Sequence, residues 1–540
     1  MTLTKSTPLS FIFLKLSSVR VAGPRVTMVF TFMLYMDITM KACLQLQRRF
    51  AYVGHAMAVV LKKRYGVKDF CGYVELTPSL EFLKSQKEIK YSDFLLESEL
   101  RNGYKTEKLD RDYIQFLGKE YGLPNLWPYI EIDRTVRYGL YLRDYPHNTP
   151  PFTHEEMMRM LQSSAKKIIA FLDKEKPDFM LFAVINDFTN MLLYHIAKKK
   201  NIKTFFIQTA RIRGKYSVTE KYGTLSFVEN VFNQLQEKKF FLQEKRLEAE
   251  TFLKKWREHP TTHSPVDAPS ARPLSRKKQF NFLLPNKIIN TVYWIAKNTI
   301  DYFRYKDRDY CKNPFYFLID RARRKIRILV GFEVFYDEFD AKDDFAFYPL
   351  QYEPEMAVSL FAPFYTDQLW LAKQIARSLP IGYKFYIKEH PAMFGYRPRN
   401  FYRELKKIPN VKLIKPTITS FELIERAKII ITLTNTSAWE AVLLKKPAIT
   451  FGNAFFNILP MVKNCKAIAD LPYMVKEQLE NFNYDEEALL NLLAAIFQES
   501  ADLDLVQIWD IEGGSNMEKK KEAVAPFVDF LASKLNLMQI

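Results

Sequence analysis

One stretch of the chain, residues 383–452, most constrains what it can fold into. Three short apolar runs there predict strands: Phe385–Ile387, Ile429–Thr432 and Ala448–Phe451. The first two runs lead into the polar loops Lys388–Pro391 and Leu433–Ser437, and a helix follows the second loop. Strands that alternate with helices predict a parallel sheet. Because an open sheet of this kind binds ligands at the carboxyl ends of its strands, we expect both loops to face one site.

The first loop reads Lys388-Glu389-His390-Pro391. Proline prevents the helical conformation at the preceding residue, so His390 is expected to be extended at the strand end. There its imidazole could donate a hydrogen bond to a phosphate or carboxylate oxygen. The alternative is a histidine satisfied by neighbouring backbone. The second polar loop downstream favours ligand binding.

The second loop is unusually rich in short polar side chains. They are Thr432, Thr434, Asn435, Thr436 and Ser437. Such residues cap helices, but five in six positions exceed what one cap requires. Hydroxyls and backbone N–H groups at a helix N-terminus form an anion site, so the pattern predicts phosphate binding. Glu440, one turn into the helix, either accepts from ribose hydroxyls or is a favourable charge near the helix N-terminus.

Four further polar residues follow other predicted strands. Gln351 and Glu353 come after the run Phe345–Tyr348 and either face the same cleft or form a surface turn. Arg211 and Arg213 come after the run Thr204–Gln208, where they either bind an anion or lie in a solvated loop. All four are candidates for the ligand site.

The general base of a transfer reaction is harder to find, since it must reach the acceptor hydroxyl. Asp187, which follows the apolar run Phe179–Ile185, is the first candidate, and His55 and Glu220 are its rivals. An acidic cluster between Glu333 and Asp344 lacks the glycine turns and fixed spacing of a metal loop. It predicts a solvated acidic loop, and no metal site or cofactor is expected.

The composition of the chain limits the classes of partner that it is expected to bind. The 540 residues predict two or three domains. The net charge is +19, from 80 basic and 61 acidic residues, and favours anionic partners such as a membrane surface or an anionic polymer. No nucleic-acid motif accompanies this charge, so no nucleic-acid partner is expected. The four cysteines form no CxxC pair, which predicts neither zinc nor disulfides but reduced, cytoplasmic thiols.

The chain divides by pattern into six segments. They are a disordered leader over 1–24, an α/β domain over 25–255, a proline-rich linker over 256–285, a helical connector over 286–324, a second α/β domain over 325–485 and C-terminal helices over 486–540. Within them we expect strands at Thr27–Leu34 and Ile326–Val330, one helix over Lys41–Tyr65, and helical structure over 80–122. The run Val26–Met36 is far shorter than the roughly 20 residues that a membrane span needs.

The C-terminal half resembles the capsule polysaccharide biosynthesis family, which includes bacterial β-Kdo transferases. The resemblance is carried by Phe347–Gln351 with Glu353-Pro354-Glu355, by Lys388–Pro391, and by Thr434–Ala441 followed by Lys446-Pro447. It implies a GT-B-like α/β fold with two Rossmann-type parallel-sheet domains facing a cleft and C-terminal helices packing back. The nucleotide-sugar donor would bind the C-terminal domain, and the acceptor the N-terminal one.

The same elements are similar to those of GT-B sialyltransferases. That likeness implies that His390, Thr436 and Ser437 contact the donor phosphate and that Glu440 contacts the ribose. The acidic-acidic-glycine catalytic element of those enzymes has no match in this sequence, which leaves the base and the donor sugar open.

The resemblance implies a metal-independent glycosyltransferase of surface polysaccharide biosynthesis, with a CMP-Kdo-like donor favoured and a polysaccharide or glycolipid acceptor. It would work in the cytoplasm, at the inner membrane face beside export machinery. The alternatives are a nucleotide-sugar isomerase of the UDP-GlcNAc 2-epimerase kind and a non-catalytic polysaccharide-assembly subunit.

Overall fold

Two mainly parallel β-sheets organise the chain. The structure, a computed structural model, describes residues 40–121, 125–138, 152–239, 241–262, 280–281, 284–304, 314–505, 508 and 516–539. The expected strand Thr27–Leu34, the leader 1–24 and most of the proline-rich linker lie outside these residues. Within the described part, no helix is both long enough and apolar enough to cross a membrane.

The first sheet has seven strands in the order β13-β6-β5-β4-β1-β2-β3. They are β1 (Lys41–Leu46), β2 (Asp69–Val74), β3 (Tyr91–Leu96), β4 (Phe179–Phe182), β5 (Lys203–Thr209), β6 (Lys215–Thr219) and β13 (Ala501–Asp502). Strands β1 to β5 are parallel, and β6 and β13 join the edge antiparallel. The chain therefore returns to its first sheet near its C-terminus.

The second sheet has six strands in the order β12-β11-β10-β7-β8-β9, all parallel. They are β7 (Phe345–Pro349), β8 (Lys384–Lys388), β9 (Val411–Ile414), β10 (Ile429–Thr432), β11 (Ala448–Thr450) and β12 (Val462–Asn464). Strands β7, β10 and β11 are buried along their whole length. Continuous apolar runs are typical of parallel strands covered on both faces.

Twenty helices accompany the sheets in the described residues. The first ten are α1 (Phe50–Tyr65), α2 (Thr77–Ser85), α3 (Glu97–Asn102), α4 (Arg111–Glu120), α5 (Trp127–Ile132), α6 (Arg134–Tyr138), α7 (His154–Glu175), α8 (Phe188–Lys199), α9 (Ser226–Gln236) and α10 (Gln243–Glu258). The others are α11 (Pro285–Arg304), α12 (Pro314–Val330), α13 (Met356–Ser359), α14 (Gln368–Ser378), α15 (Arg399–Lys406), α16 (Ser420–Arg426), α17 (Thr436–Leu443), α18 (Leu471–Glu480), α19 (Glu486–Gln498) and α20 (Met517–Leu535).

Helices cover both faces of each sheet. Helices α1 and α20 pack on one face of the first sheet, and α7 and α8 on the other. The C-terminal helices pack back on the first half of the chain, because α20 lies against α1 and α19 lies against α9 and α10. The predicted fold class, two Rossmann-type parallel-sheet domains with C-terminal helices packing back, is confirmed. The domain limits remain predictions.

Three element predictions were wrong. Lys41–Leu46 is a strand rather than the start of a helix, because a strand buried on both faces shows no polar alternation to reveal it. The segment 80–122 contains β3 among its helices. Ile326–Val330 is the end of α12 rather than a strand: its β-branched residues suggested a strand, but Ile326 and Val330 are exposed on one helical face.

Candidate functional site in the cleft

A cavity of about 1050 Å³ lies at the carboxyl ends of the second sheet's strands. Both halves of the chain line it, with Gln208, Thr209, Arg211 and Gly223 contributed by the first half. Eleven of the predicted site residues line this one cavity: Arg211, Gln351, Lys388, Glu389, His390, Pro391, Thr434, Asn435, Thr436, Ser437 and Glu440. Arg213 lies beside it, in a small adjoining pocket. The two loops therefore face one site.

The turn after β8 fixes the orientation of His390. Pro391 begins a short 3₁₀ turn, and the Nδ1 atom of His390 accepts a hydrogen bond from the Ala392 N–H at 3.2 Å. Burial lowers the pKa of His390, opposed by the charge of Glu389. A neutral imidazole whose Nδ1 is an acceptor carries its proton on Nε2. His390 is thus set to donate a hydrogen bond from Nε2.

Glu389 holds this turn in place from behind. One of its carboxylate oxygens accepts from the His390 N–H at 2.6 Å, and the other accepts from the Tyr402 hydroxyl at 2.6 Å. The fully buried guanidinium of Arg397 also bonds Glu389. With its oxygens occupied by these donors, Glu389 supports the site rather than contacting a ligand.

Arg397 joins the ends of β7 and β8. Besides Glu389, it donates to Glu353 at 3.1 Å and to the carbonyl of Gln351 at 2.7 Å. Burial raises the pKa of Glu353, and the charge of Arg397 opposes that rise. Gln351 lines the cavity, and in the described structure its buried Oε1 atom has no hydrogen-bond partner. Glu353 is thus a buried partner of Arg397, whereas the Gln351 amide is available for recognition.

The polar loop after β10 lines the cavity, and its side chains form hydrogen bonds within the protein. The Thr434 hydroxyl donates to the Ala357 carbonyl at 3.1 Å. Asn435 caps α17, its Oδ1 accepting from the Ser437 N–H at 3.1 Å and from the hydroxyls of Thr436 and Ser437 at 3.3 and 3.4 Å. The positive end of the α17 dipole, surrounded by neutral polar groups, thus faces the cavity.

Lys388 and Glu440 bring opposite charges into the cavity wall. Burial lowers the pKa of Lys388 to about 8, and the charge of Glu440 opposes that shift. Burial raises the pKa of Glu440 to about 7, opposed by Lys388. The Lys388 ammonium also donates to the Ser420 hydroxyl at 3.2 Å. The cavity can therefore offer a cation to an anionic ligand, beside a carboxyl group that titrates near neutrality.

Asp187 has a different environment from the one expected of a general base. It is not among the cavity-lining residues. It caps α8 by accepting from the Asn190 N–H and the Thr189 hydroxyl, both at 2.8 Å, and lies 4.0 Å from Arg101. Burial raises its pKa, opposed by Arg101. Its position gives the catalytic prediction no support.

Its two rivals do not line the cavity either. His55 is buried in α1 against the Tyr91 hydroxyl at 3.0 Å, and Glu220 is exposed after β6. The carboxylates that do line the cavity are Glu355, Glu389 and Glu440. Since Glu389 is held by Arg397 and Tyr402, Glu355 and Glu440 are the remaining candidates for proton transfer.

The acidic cluster forms individual lysine pairs. Asp337 pairs with Lys406 at 2.6 Å, Asp343 with Lys412 at 2.5 Å and Asp344 with Lys428 at 3.2 Å. Among the described residues, no group of three acidic, histidine or cysteine side chains is placed to hold a metal ion. These three aspartates of the acidic cluster are therefore paired with lysines.

Two important residues escaped prediction. Arg397 stands in no recognisable pattern, and only the fold brings it between Glu353 and Glu389. Tyr352, whose ring centre lies 5.7 Å from that of His390, lines the cavity. Its position directly after Gln351 was a signal that could have identified it.

Fold and site together define a two-domain α/β protein whose cleft contains a cavity lined by Lys388, His390 and the N-terminus of α17. Residues 286–476 match the family described as "Capsule polysaccharide biosynthesis protein". This match confirms the resemblance predicted from the motifs, and it includes all the cavity-lining residues of the second half.

Similarity to individual proteins is more limited. Protein FixF of Sinorhizobium fredii (strain NBRC 101917 / NGR234) is 34% identical over 134 residues, which is 23% of this chain and 30% of FixF. The match therefore spans less than a third of that relative. Thermosulfurimonas dismutans KpsC, a β-Kdo 2,4 transferase, is 13% identical, with a TM-score of 0.35 over 64% of this chain and 88% of that chain. UDP-GlcNAc 2-epimerase from Methanocaldococcus jannaschii is 14% identical, with a TM-score of 0.26 over 85% of this chain and 99% of that chain. At these identities the structural likenesses concern the fold alone.

Proposed function

We propose that this chain is a glycosyltransferase of surface polysaccharide biosynthesis. It would transfer a sugar from a nucleotide-activated donor to a polysaccharide or glycolipid acceptor. The observation that carries the proposal is the cavity itself, because the turn at His390, the N-terminus of α17 and Lys388 all line it. Three positive or hydrogen-bond-donating groups around one space suit the phosphate of a nucleotide-sugar. The preference for a CMP-Kdo-like donor rests on the motif resemblance.

Catalysis would be electrostatic. When the glycosidic bond to the nucleotide breaks, negative charge grows on the departing phosphate. The Nε2–H of His390, the Lys388 ammonium and the N-terminus of α17 would stabilise that charge without a metal ion. The Glu389–Arg397 pair would keep the His390 turn rigid, so that little reorganisation accompanies the reaction.

The acceptor would enter from the first half of the chain. Arg211, at the end of β5, lines the cavity. Burial lowers its pKa, opposed by the charge of Glu355 on the other half. A guanidinium at this place suits the carboxylate of an acidic sugar or the phosphate of a glycolipid. Glu355 and Glu440 are the carboxylates within the same cavity that could exchange a proton with the acceptor hydroxyl.

A thermal-shift panel with CMP, CDP, UMP, UDP, GMP and GDP tests the donor site. A nucleotide at about 100 times its dissociation constant should stabilise the fold by roughly 2.7 kcal/mol. We expect CMP to raise the melting temperature of the wild type, with a much smaller rise for His390→Ala. His154→Ala is the control, because His154 is exposed and outside the cavity.

A transfer assay then separates the candidate activities. CMP released only in the presence of donor and acceptor supports the proposal, and His390→Ala should slow that release. Conversion of UDP-GlcNAc to its epimer without acceptor would assign the chain to the isomerases. Absence of any nucleotide response would favour a non-catalytic assembly subunit.

A further inference from the structure

Exposed apolar side chains are concentrated in one short region of the surface. In the described residues, 22 large hydrophobic side chains are exposed, and 13 of them lie within residues 280–334. Scattered exposed apolar residues are normal, but a concentrated group marks a contact surface. The region consists mainly of helices α11 and α12, which pack against each other.

Helix α11 exposes a continuous apolar face. Ile289, Val292, Tyr293, Ile300 and Phe303 recur at helical spacing along that face, with exposed fractions from 60% to 77%. No residue of α11 is buried. A folded helix with such a face needs a covering partner.

Helix α12 has a similar apolar face with arginines beside it. Ile319, Ile326 and Val330 are exposed at helical spacing, and Arg321 and Arg323 are exposed next to them. Together α11 and α12 contain eight lysines and arginines but only two acidic residues, Asp301 and Asp320. The apolar surface therefore lies in a positively charged setting.

Exposed apolar side chains together with an excess of positive charge favour one kind of covering partner. Two copies of the same basic surface would repel each other, and a free anionic polymer would leave the apolar side chains in water. An anionic lipid bilayer satisfies both features, since apolar side chains enter the acyl boundary while arginines meet the headgroups. We infer that α11 and α12 form a docking surface for an anionic membrane.

The docking surface is connected to the cleft through α12. Arg324 donates to the Phe394 carbonyl at 3.2 Å and to the Tyr396 hydroxyl at 3.1 Å, and Ile328 packs on Gly395. These residues follow the His390 turn and precede Arg397. Membrane attachment would therefore hold the site close to acceptors carried by lipid. The docking inference itself stands without the proposed transferase activity.

Vesicle flotation of the full chain tests the surface directly. Vesicles of phosphatidylcholine alone are compared with vesicles containing about one third phosphatidylglycerol, at low and high salt. We expect the chain to float with the phosphatidylglycerol vesicles at low salt and to dissociate partly as salt rises. Failure to bind these vesicles at low salt would overturn the inference.

Two double variants separate the apolar and charged contributions. Ile289→Ser with Phe303→Ser should weaken vesicle binding by roughly tenfold or more. Arg321→Gln with Arg323→Gln should weaken it by about thirtyfold. Arg324 and Arg327 stay unchanged, because they hold the 394–396 loop. Because all four changed side chains are exposed, thermal melting should confirm an intact fold.

Matched controls remove two apolar or two basic side chains from exposed positions elsewhere. Phe364→Ser with Ile381→Ser and Arg403→Gln with Lys476→Gln should bind vesicles as the wild type does. Binding retained in both α11 and α12 variants would overturn the inference. So would a solution dimer, measured by light scattering, that the α11 variant dissociates, because the face would then join two copies of the chain.

Discussion

The two sheets have the same strand order but differ at their carboxyl edges. Apart from the additional edge strand β13, the first runs β6-β5-β4-β1-β2-β3, and the second runs β12-β11-β10-β7-β8-β9. Strands β4 and β10 therefore hold equivalent places, and a helix capped by a short side chain follows each. The cap is Asp187 on α8 and Asn435 on α17.

The carboxyl edges of the two sheets differ in the charge of the side chain that caps the following helix. On the first sheet, the Asp187 carboxylate satisfies the N-terminus of α8, and Arg101 binds Glu97 at 2.5 Å and Asp133 at 2.9 Å close by. On the second sheet the cap is neutral, and the arginine–carboxylate network around Arg397 lies behind the His390 turn. The N-terminus of α17 therefore keeps its positive potential, whereas an acidic side chain occupies the N-terminus of α8.

Topology thus places a helix N-terminus at the carboxyl edge of both sheets, and the charge of the capping side chain distinguishes the two. Polar loops at strand ends were sufficient to predict which side chains meet at the carboxyl edge of the second sheet. At the first edge, the same reasoning selected Asp187, whose charge the fold uses internally.

The largest expected effect concerns the buried arginine of the second edge. Arg397→Met would leave Glu353 and Glu389 buried without their cation, so we expect a loss of roughly 3–5 kcal/mol in the free energy of unfolding. Urea denaturation measures it. Arg403→Met, an exposed change on the next helix, should cost less than about 0.5 kcal/mol. A loss below about 1 kcal/mol for Arg397→Met would show that the network is not a structural support.

The next effect is pH-dependent. Burial raises the pKa of Glu440 from 4.5 to about 7, so the folded chain retains a proton that the unfolded chain releases between these values. Stability is therefore lost as pH rises from about 4.5 to about 7. Glu440→Gln should remove that loss and stabilise the fold above pH 7 by up to roughly 3 kcal/mol. The gain should be absent near pH 4.5.

Thermal melting across this pH range measures the difference between wild type and Glu440→Gln. The figure is an upper bound, since Lys388 loses its opposite charge in the variant. Glu522→Gln, an exposed change on α20, provides the control. A stability difference that does not vary with pH would mean that Glu440 does not titrate as its burial implies.

The smallest effect is expected from substitution of Asp187, at the carboxyl edge of the first sheet. Asp187→Asn keeps a capping oxygen on α8, so we expect a loss of only about 1 kcal/mol in stability. The transfer rate per folded molecule should stay within about twofold of the wild type, because Asp187 does not line the cavity. A loss of about a hundredfold in rate with an intact fold would restore Asp187 as the general base.

Sequence was sufficient where local chemistry and fold agree. The runs ending at Lys388 and Thr432 are apolar and then abruptly polar, so both strands could be predicted, as could the placement of their polar loops around one cavity. The C-terminal helices could be predicted from their apolar periodicity, although their packing against α1, α9 and α10 came only from the implied fold.

The sequence was insufficient where long-range packing determines the structure of an element or the role of a residue. Strand β1 is buried on both faces and continues almost directly into α1, so no alternation or turn signal marks it. The β-branched run at Ile326 belongs to a helix because α12 holds the 394–396 loop through Arg324 and Arg327. Arg397 becomes important only when β7 and β8 bring two carboxylates beside it.

The most direct measurement is a calorimetric titration of CMP into three variants and the wild type. Asn435→Asp gives α17 the acidic cap of α8, and Asn435→Ser keeps a neutral cap. Asp187→Asn makes the reverse change at the first edge. The account predicts that Asn435→Asp weakens nucleotide binding by roughly tenfold or more, while the other two bind as the wild type does. Unchanged binding by Asn435→Asp, or lost binding in Asp187→Asn, would contradict a donor site at the second edge.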